Sequence, residues 1–150
     1  MPLPSTPPRP ALYLGFSGAL PFLAGLALLF TSDASLRGWG AWLLLIYGTI
    51  ILSFMGGIHW GAAMARNDES FGALGRSVLP SLLALPAVAW GGEPGLLVLA
   101  LGFGGLLIYD ESEVRAGRLS SWYPRLRRPL TAIVVACLVV GDITPCAKHH

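Results

Sequence analysis

The chain has 150 residues, 54% of them hydrophobic and 12% charged, with a net charge of +2. Soluble domains carry about 25% charged residues, so this surface is too apolar to face water, and so small a net charge gives no ground for a nucleic-acid partner. Two cysteines, Cys137 and Cys146, in or beside one apolar stretch, are too few for a disulfide framework.

The first segment, Met1–Pro10 (MPLPSTPPRP), is a Pro-rich tail that reads as extended chain. It has neither an obvious cleavage site nor the Arg-rich amphipathic pattern of a mitochondrial presequence, which points to a bacterial chain. Residues 11–146 form a single transmembrane domain, and residues 147–150 form a C-terminal tail.

Five apolar stretches follow: Ala11–Thr31, Trp39–Met64, Leu74–Trp90, Gly95–Tyr109 and Pro129–Pro145. A helix needs about 20 residues to cross a hydrocarbon core of about 30 Å. The third and fourth stretches are short, and only Gly91–Pro94 separates them. They are either two short spans or a re-entrant hairpin. Pro80 and Pro86 in the third are compatible with a membrane helix, because neighbours satisfy the freed carbonyls. The fold class is therefore all-α, a polytopic bundle of about five transmembrane helices.

With five spans, Arg9, Arg66, Arg76, Arg115, Arg118, Arg125, Arg127 and Arg128 fall on one side. Only Arg37 and Lys148 fall on the other, and eight against two is a positive-inside bias. It places the N-terminus in the cytoplasm and the C-terminus outside, in the inner membrane of a bacterium. Tyr13, Trp60, Tyr109, Trp122 and Tyr123 near the inner face, and Trp39, Trp42 and Trp90 near the outer, suit headgroup depth. Tyr47 is the exception, well inside the second span.

In the second span, Ser53, Gly57, Gly61 and Ala65 recur every four residues and form a small-residue stripe for close helix packing. His59 lies about 200° around the helix from Gly57, on the face of Leu52, Met55, Gly56 and Ala63. Both faces want protein neighbours, which makes this the central helix. An imidazole in the membrane is either an interhelical hydrogen bond or a site. As a site it joins Trp60, Tyr109 and Asp110 at the inner ends of the second and fourth spans.

Asp110, Glu111 and Glu113 emerge at the end of the fourth span, with Glu111 and Arg115 as an i, i+4 pair; otherwise they are a solvated helix end. Asp142, near the outer end of the fifth span, reads as a turn cap. Trp122, Arg125, Arg127 and Arg128 suit anionic lipid headgroups. No phosphate loop, Gly-x-Ser-x-Gly, His-Glu-x-x-His or Cys-x-x-Cys occurs. No catalytic residue and no metal ligand set is expected.

The run Tyr47-Gly48 through Leu52-Ser53-Phe54-Met55-Gly56-Gly57-Ile58-His59-Trp60-Gly61, with Trp122-Tyr123-Pro124 and Arg128-Pro129-Leu130-Thr131, resembles a family known as domain of unknown function 3429. That family includes the mitochondrial transmembrane protein 69. The resemblance covers nearly the whole chain after the tail. It implies a multi-span membrane protein and brings no activity or site residue. Trp122-Tyr123, Leu126 and Arg128-Pro129 are also similar, more weakly, to the tryptophan-rich sensory protein and translocator family of five-helix porphyrin and cholesterol binders. In that family the motif lies nearer the start, and a Trp-x-Pro-Pro stands where this chain has Leu130-Thr131-Ala132.

The expected function is that of a non-enzymatic accessory or assembly protein. It would contact membrane lipids and pack with itself or a membrane-protein partner, without a cofactor. The alternative is a binder or carrier of a tetrapyrrole, quinone or lipid, seated at His59, Trp60, Tyr109 and Asp110. An acid–base enzyme pairing His59 with Asp110 or Glu113 requires the two within about 3 Å.

Overall fold

The computed structural model describes residues 6–144, and all regular structure among them is α-helical. The helices are α1 (Arg9–Leu29), α2 (Ala34–Ala65), α3 (Phe71–Trp90), α4 (Gly92–Arg115) and α5 (Tyr123–Ile143). The C-terminal residues Cys146, Lys148, His149 and His150, and residues 1–5 of the Pro-rich tail, lie outside the described residues.

Local chemistry sets the boundaries. Helix α1 starts at Arg9, inside the expected tail, because Pro10 stands in the first turn, where a missing N–H costs nothing. Helix α2 begins five residues earlier than its apolar stretch. Asp33 caps it, accepting from the amides of Ser35 at 2.8 Å and Leu36 at 3.2 Å. It ends in a Schellman turn: Asn67 has φ 55°, and the Asp68 amide donates to Ala63 O at 3.0 Å. Ser70 then caps α3 through the Ala73 amide at 3.3 Å. Through its side chain and amide, Ser70 also holds the exposed Asp68 carboxyl below its usual range.

A single residue, Gly91 at φ 60°, separates α3 from α4. The two helices have 20 and 24 residues, each long and apolar enough to cross a membrane. The ground for a re-entrant hairpin was their shortness, and that is gone: α4 continues past the apolar stretch to Arg115. It closes on Gly117 at φ 73°, with the Arg118 amide donating to Glu113 O at 2.9 Å. Helix α5 starts at Tyr123, six residues before the expected Pro129, and carries Arg125, Arg127 and Arg128 in its first turns. Helices α1 to α4 meet the span criterion of length and apolarity.

Helix α2 is central and packs against all four others, and α1 and α5 close the ring. The core holds Phe22, Leu44, Leu52, Leu99, Phe103 and Leu138, all fully buried, with Phe22 and Phe103 edge to face at 6.2 Å. Large apolar side chains such as Phe54, Leu85, Leu101 and Ile108 point outward, as expected where the solvent is lipid. Tyr47 donates to Gly18 O at 2.8 Å, which settles a hydroxyl at that depth.

The close contacts of α2 use a seam different from the expected stripe. Gly40, Leu44, Gly48, Leu52 and Gly56 are buried in one row. A Cβ on Gly40 would lie 2.7 Å from Gly25 O of α1, and one on Gly56 would lie 2.5 Å from Ser77 O of α3. Only glycine allows these backbones to approach so closely. Gly57 and Gly61 instead face open space, so among the described residues no helix covers the Ser53–Gly57–Gly61–Ala65 stripe.

Candidate functional site

The buried polar side chains cluster at one end of the bundle, the end of the Arg-rich connections. They are His59, Ser77, Asp110, Glu113, Arg127 and Thr131. At the centre, Asp110 of α4 joins two other helices. Its Oδ1 lies 2.6 Å from His59 Nε2 of α2, and its Oδ2 accepts from Arg127 Nε of α5 at 2.8 Å. Their side chains are 3%, 1% and 8% exposed for His59, Asp110 and Arg127, so the triad is sealed from solvent and lipid.

The position follows from the helices. His59 sits on the buried row of α2 and Asp110 on the buried face of α4, each in the last two turns of its helix. Arg127 is one turn into α5, which runs back alongside α4. The Asp110 carboxylate balances the Arg127 charge. Its Oδ1 accepts the Nε2–H of His59, so that ring nitrogen carries a proton. Tyr109 tilts over the His59 ring with centroids 4.5 Å apart, and its outer face lies 5.6 Å below the Arg76 guanidinium.

Two further ion pairs flank the triad. Arg118 grips Glu113 with two hydrogen bonds of 2.7 Å, and Glu113 is 4% exposed. Arg128 donates to Glu111 at 2.7 Å, tying α5 to α4 a second time. The expected Glu111–Arg115 pair is present only as a loose exposed contact of 3.8 Å, worth little.

Several expectations need correction. Arg127 does not face lipid headgroups, because burial against Asp110 takes it inside the bundle. Arg128 is exposed yet paired with Glu111; Trp122 is half-buried and Arg125 exposed. Trp60 is 42% exposed and is not among the buried side chains of the cluster. Asp110 and Glu113 are buried and paired, so the acidic run is not a solvated helix end. Asp142 lies within α5, its Oδ1 buried without a hydrogen-bond partner among the described residues, and the Thr144 hydroxyl makes the terminal contact, to Val140 O at 2.6 Å.

Residues that sequence reasoning did not place here are Arg127, Thr131 and Tyr123, which recur every four residues on one face of α5. Arg127 Nη2, Thr131 Oγ1 and the Tyr123 hydroxyl are buried without a hydrogen-bond partner among the described residues. No group of three His, Cys, Asp or Glu residues among those described could hold a metal. With Nε2 engaged by Asp110, His59 does not offer that nitrogen as an axial ligand. Above the triad the core is apolar: Leu52, Phe103, Leu99 and Phe22 separate it from the other end.

All of these residues lie within residues 7–142, which match the model of the family described as a protein of unknown function, DUF3429. The chain belongs to this family. Two curated relatives are called transmembrane protein 69. The one from Xenopus tropicalis is 36% identical over 95% of this chain and 57% of its own length. The one from Mus musculus is 27% identical over 92% of this chain and 59% of its own length. The chain thus spans a little under three-fifths of those relatives. No solved structure matches. Family membership, the helical bundle and its apolar exterior together make this a transmembrane protein of unknown activity.

Proposed function

We propose that the chain is a non-enzymatic accessory or assembly protein of a bacterial inner membrane, which works by packing α2 against a second copy or another membrane protein. The carrying observation is the open stripe: a Cβ on Gly57 or Gly61 would meet nothing within 4 Å. A mid-helix glycine costs roughly 0.5–1 kcal/mol relative to alanine. Gly40 and Gly56 offset that cost through contacts inside the chain; Gly57 and Gly61 do not. A partner helix seated on the stripe would supply the missing contacts.

The sealed triad supports the same reading. His59 and Asp110 have dyad-like spacing, yet the pair is buried and both Asp110 oxygens are taken. A clamp of this kind fixes the register of α2 against α4 and α5 and so holds the stripe rigid. The test is Gly57→Leu with Gly61→Leu, with Gly38→Leu as a control at another open glycine. The double variant should lose its partner or oligomer in native mass spectrometry of gently released membranes, and the control should keep it. A chain that is monomeric and partner-free in its own membrane overturns the proposal.

A ligand-binding role is favoured by a separate observation, a half-open cleft of about 280 Å³ between α3 and α4, which has Tyr109 in its wall.

A further inference from the structure

The cleft between α3 and α4 has a direction. Leu79, Pro80 and Leu83 wall it on one side and Leu101 and Leu106 on the other, with Gly105 between. A Cβ on Gly105 would meet nothing within 4 Å, so this glycine leaves the cleft open. Arg76 and Tyr109 stand at one end, the end of the Arg-rich connections. From Leu101 to Tyr109 the wall runs about 12 Å at 1.5 Å per residue. One leaflet is about 15 Å of hydrocarbon, so the cleft follows most of a leaflet's depth along the helices.

Its polar end is cationic. Arg76 lines it beside Tyr109. Nearby Arg118 is already paired with Glu113. Among the described residues no carboxylate lies within ion-pairing distance of Arg76. The Arg76 side chain is exposed, with Nε donating to Gly72 O at 2.9 Å and its guanidinium over Tyr109.

We propose that this cleft holds one acyl chain of an anionic phospholipid, with the phosphate against Arg76 at the Tyr109 end. This rests on the ligand-binding reading and names the ligand class. A long narrow apolar wall suits a single chain lying along the helices. A neutral head would leave the Arg76 charge unmatched, whereas a phosphate diester matches it. Because Tyr109 also stacks on His59, the lipid's polar end abuts the clamp that joins α2, α4 and α5.

The experiment is native mass spectrometry of the full chain in detergent, titrated with phosphatidylglycerol or phosphatidylcholine of identical acyl chains. The wild type should retain one phosphatidylglycerol in preference to phosphatidylcholine. Arg76→Gln should weaken phosphatidylglycerol about fivefold, as expected for loss of one basic residue beside an anionic lipid, and leave phosphatidylcholine unchanged. Gly105→Leu and, from the opposite wall, Leu79→Trp should each block retention of both while keeping the wild-type thermal midpoint. Equal retention of the two lipids, abolished by the wall variants, overturns the anionic class and leaves the cleft a ligand site. Retention unaffected by either wall variant overturns the site itself, and the ligand-binding reading with it.

Discussion

His59 and Asp110 stand 51 residues apart in the chain, on different helices, and meet at 2.6 Å in the interior. Arg127, from a third helix, holds the other oxygen of the same carboxylate at 2.8 Å. Three helices are thus fixed to one another through two carboxylate oxygens.

The energetics of that arrangement lead to the first prediction. A buried ion pair contributes little net stability, but removing one partner leaves an uncompensated charge and costs about 3–5 kcal/mol. Arg127→Met should therefore lower the denaturation midpoint in detergent severely. Combining it with Asp110→Asn removes the stranded charge and should restore more than half of the loss. If the double variant is as unstable as the sum of the two single variants, Asp110 and Arg127 are not coupled.

The same geometry separates two arginines that composition cannot. Arg125 is exposed, whereas Arg127 is buried. Arg125→Gln removes an exposed charge and should cost no more than an exposed ion pair does, about 1 kcal/mol or less. Arg127→Gln makes the identical change in charge and should cost several times more. Equal effects in thermal unfolding would return Arg127 to the headgroup role.

The outcome at Arg127 shows what the sequence disclosed and what it hid. The five helices were legible, because a run of apolar residues long enough to cross lipid has few alternatives. Their ends were less so: Asp33 and Pro10 extend helices beyond the apolar run, through capping and first-turn chemistry. The start of α5 was hidden by Arg125, Arg127 and Arg128, whose charge reads as a loop at a membrane surface. The four-residue spacing of Tyr123, Arg127 and Thr131 was the available signal for a buried helical face. His59, Tyr109 and Asp110 were legible as rare polar groups at matching depth. The packing seam was not, because two glycine rows, Gly40–Gly48–Gly56 and Gly57–Gly61, lie on the same helix. Periodicity alone does not say which row faces the chain's own helices.

Those two rows predict opposite responses to one methyl group. On Gly56 it would lie 2.5 Å from Ser77 O, a backbone atom that cannot swing aside. Gly56→Ala should destabilise the chain by about 1–3 kcal/mol, the range for overpacking. At Gly57 the same change meets open space, and Gly57→Ala should be neutral or slightly stabilising in the isolated monomer. Thermal melts of the two variants in the same detergent decide it, and a destabilised Gly57→Ala monomer would show that α2 is packed another way.

The last prediction concerns orientation, which rests on charge. Eight of the ten cationic residues fall on the side of the Arg66–Arg76 and Asp110–Arg128 connections. Short loops rich in arginine are retained in the cytoplasm, so Ser121, exposed before α5, should face inward. Ser32, exposed between α1 and α2, should face outward. In a chain whose native Cys137 and Cys146 are replaced, Ser32→Cys should react with a membrane-impermeant maleimide in intact spheroplasts. Ser121→Cys should react only after permeabilisation. The reversed pattern would mean that the triad and the α3–α4 cleft lie at the outer-leaflet end of the bundle. A phosphatidylglycerol seated at Arg76 would then have to come from that side.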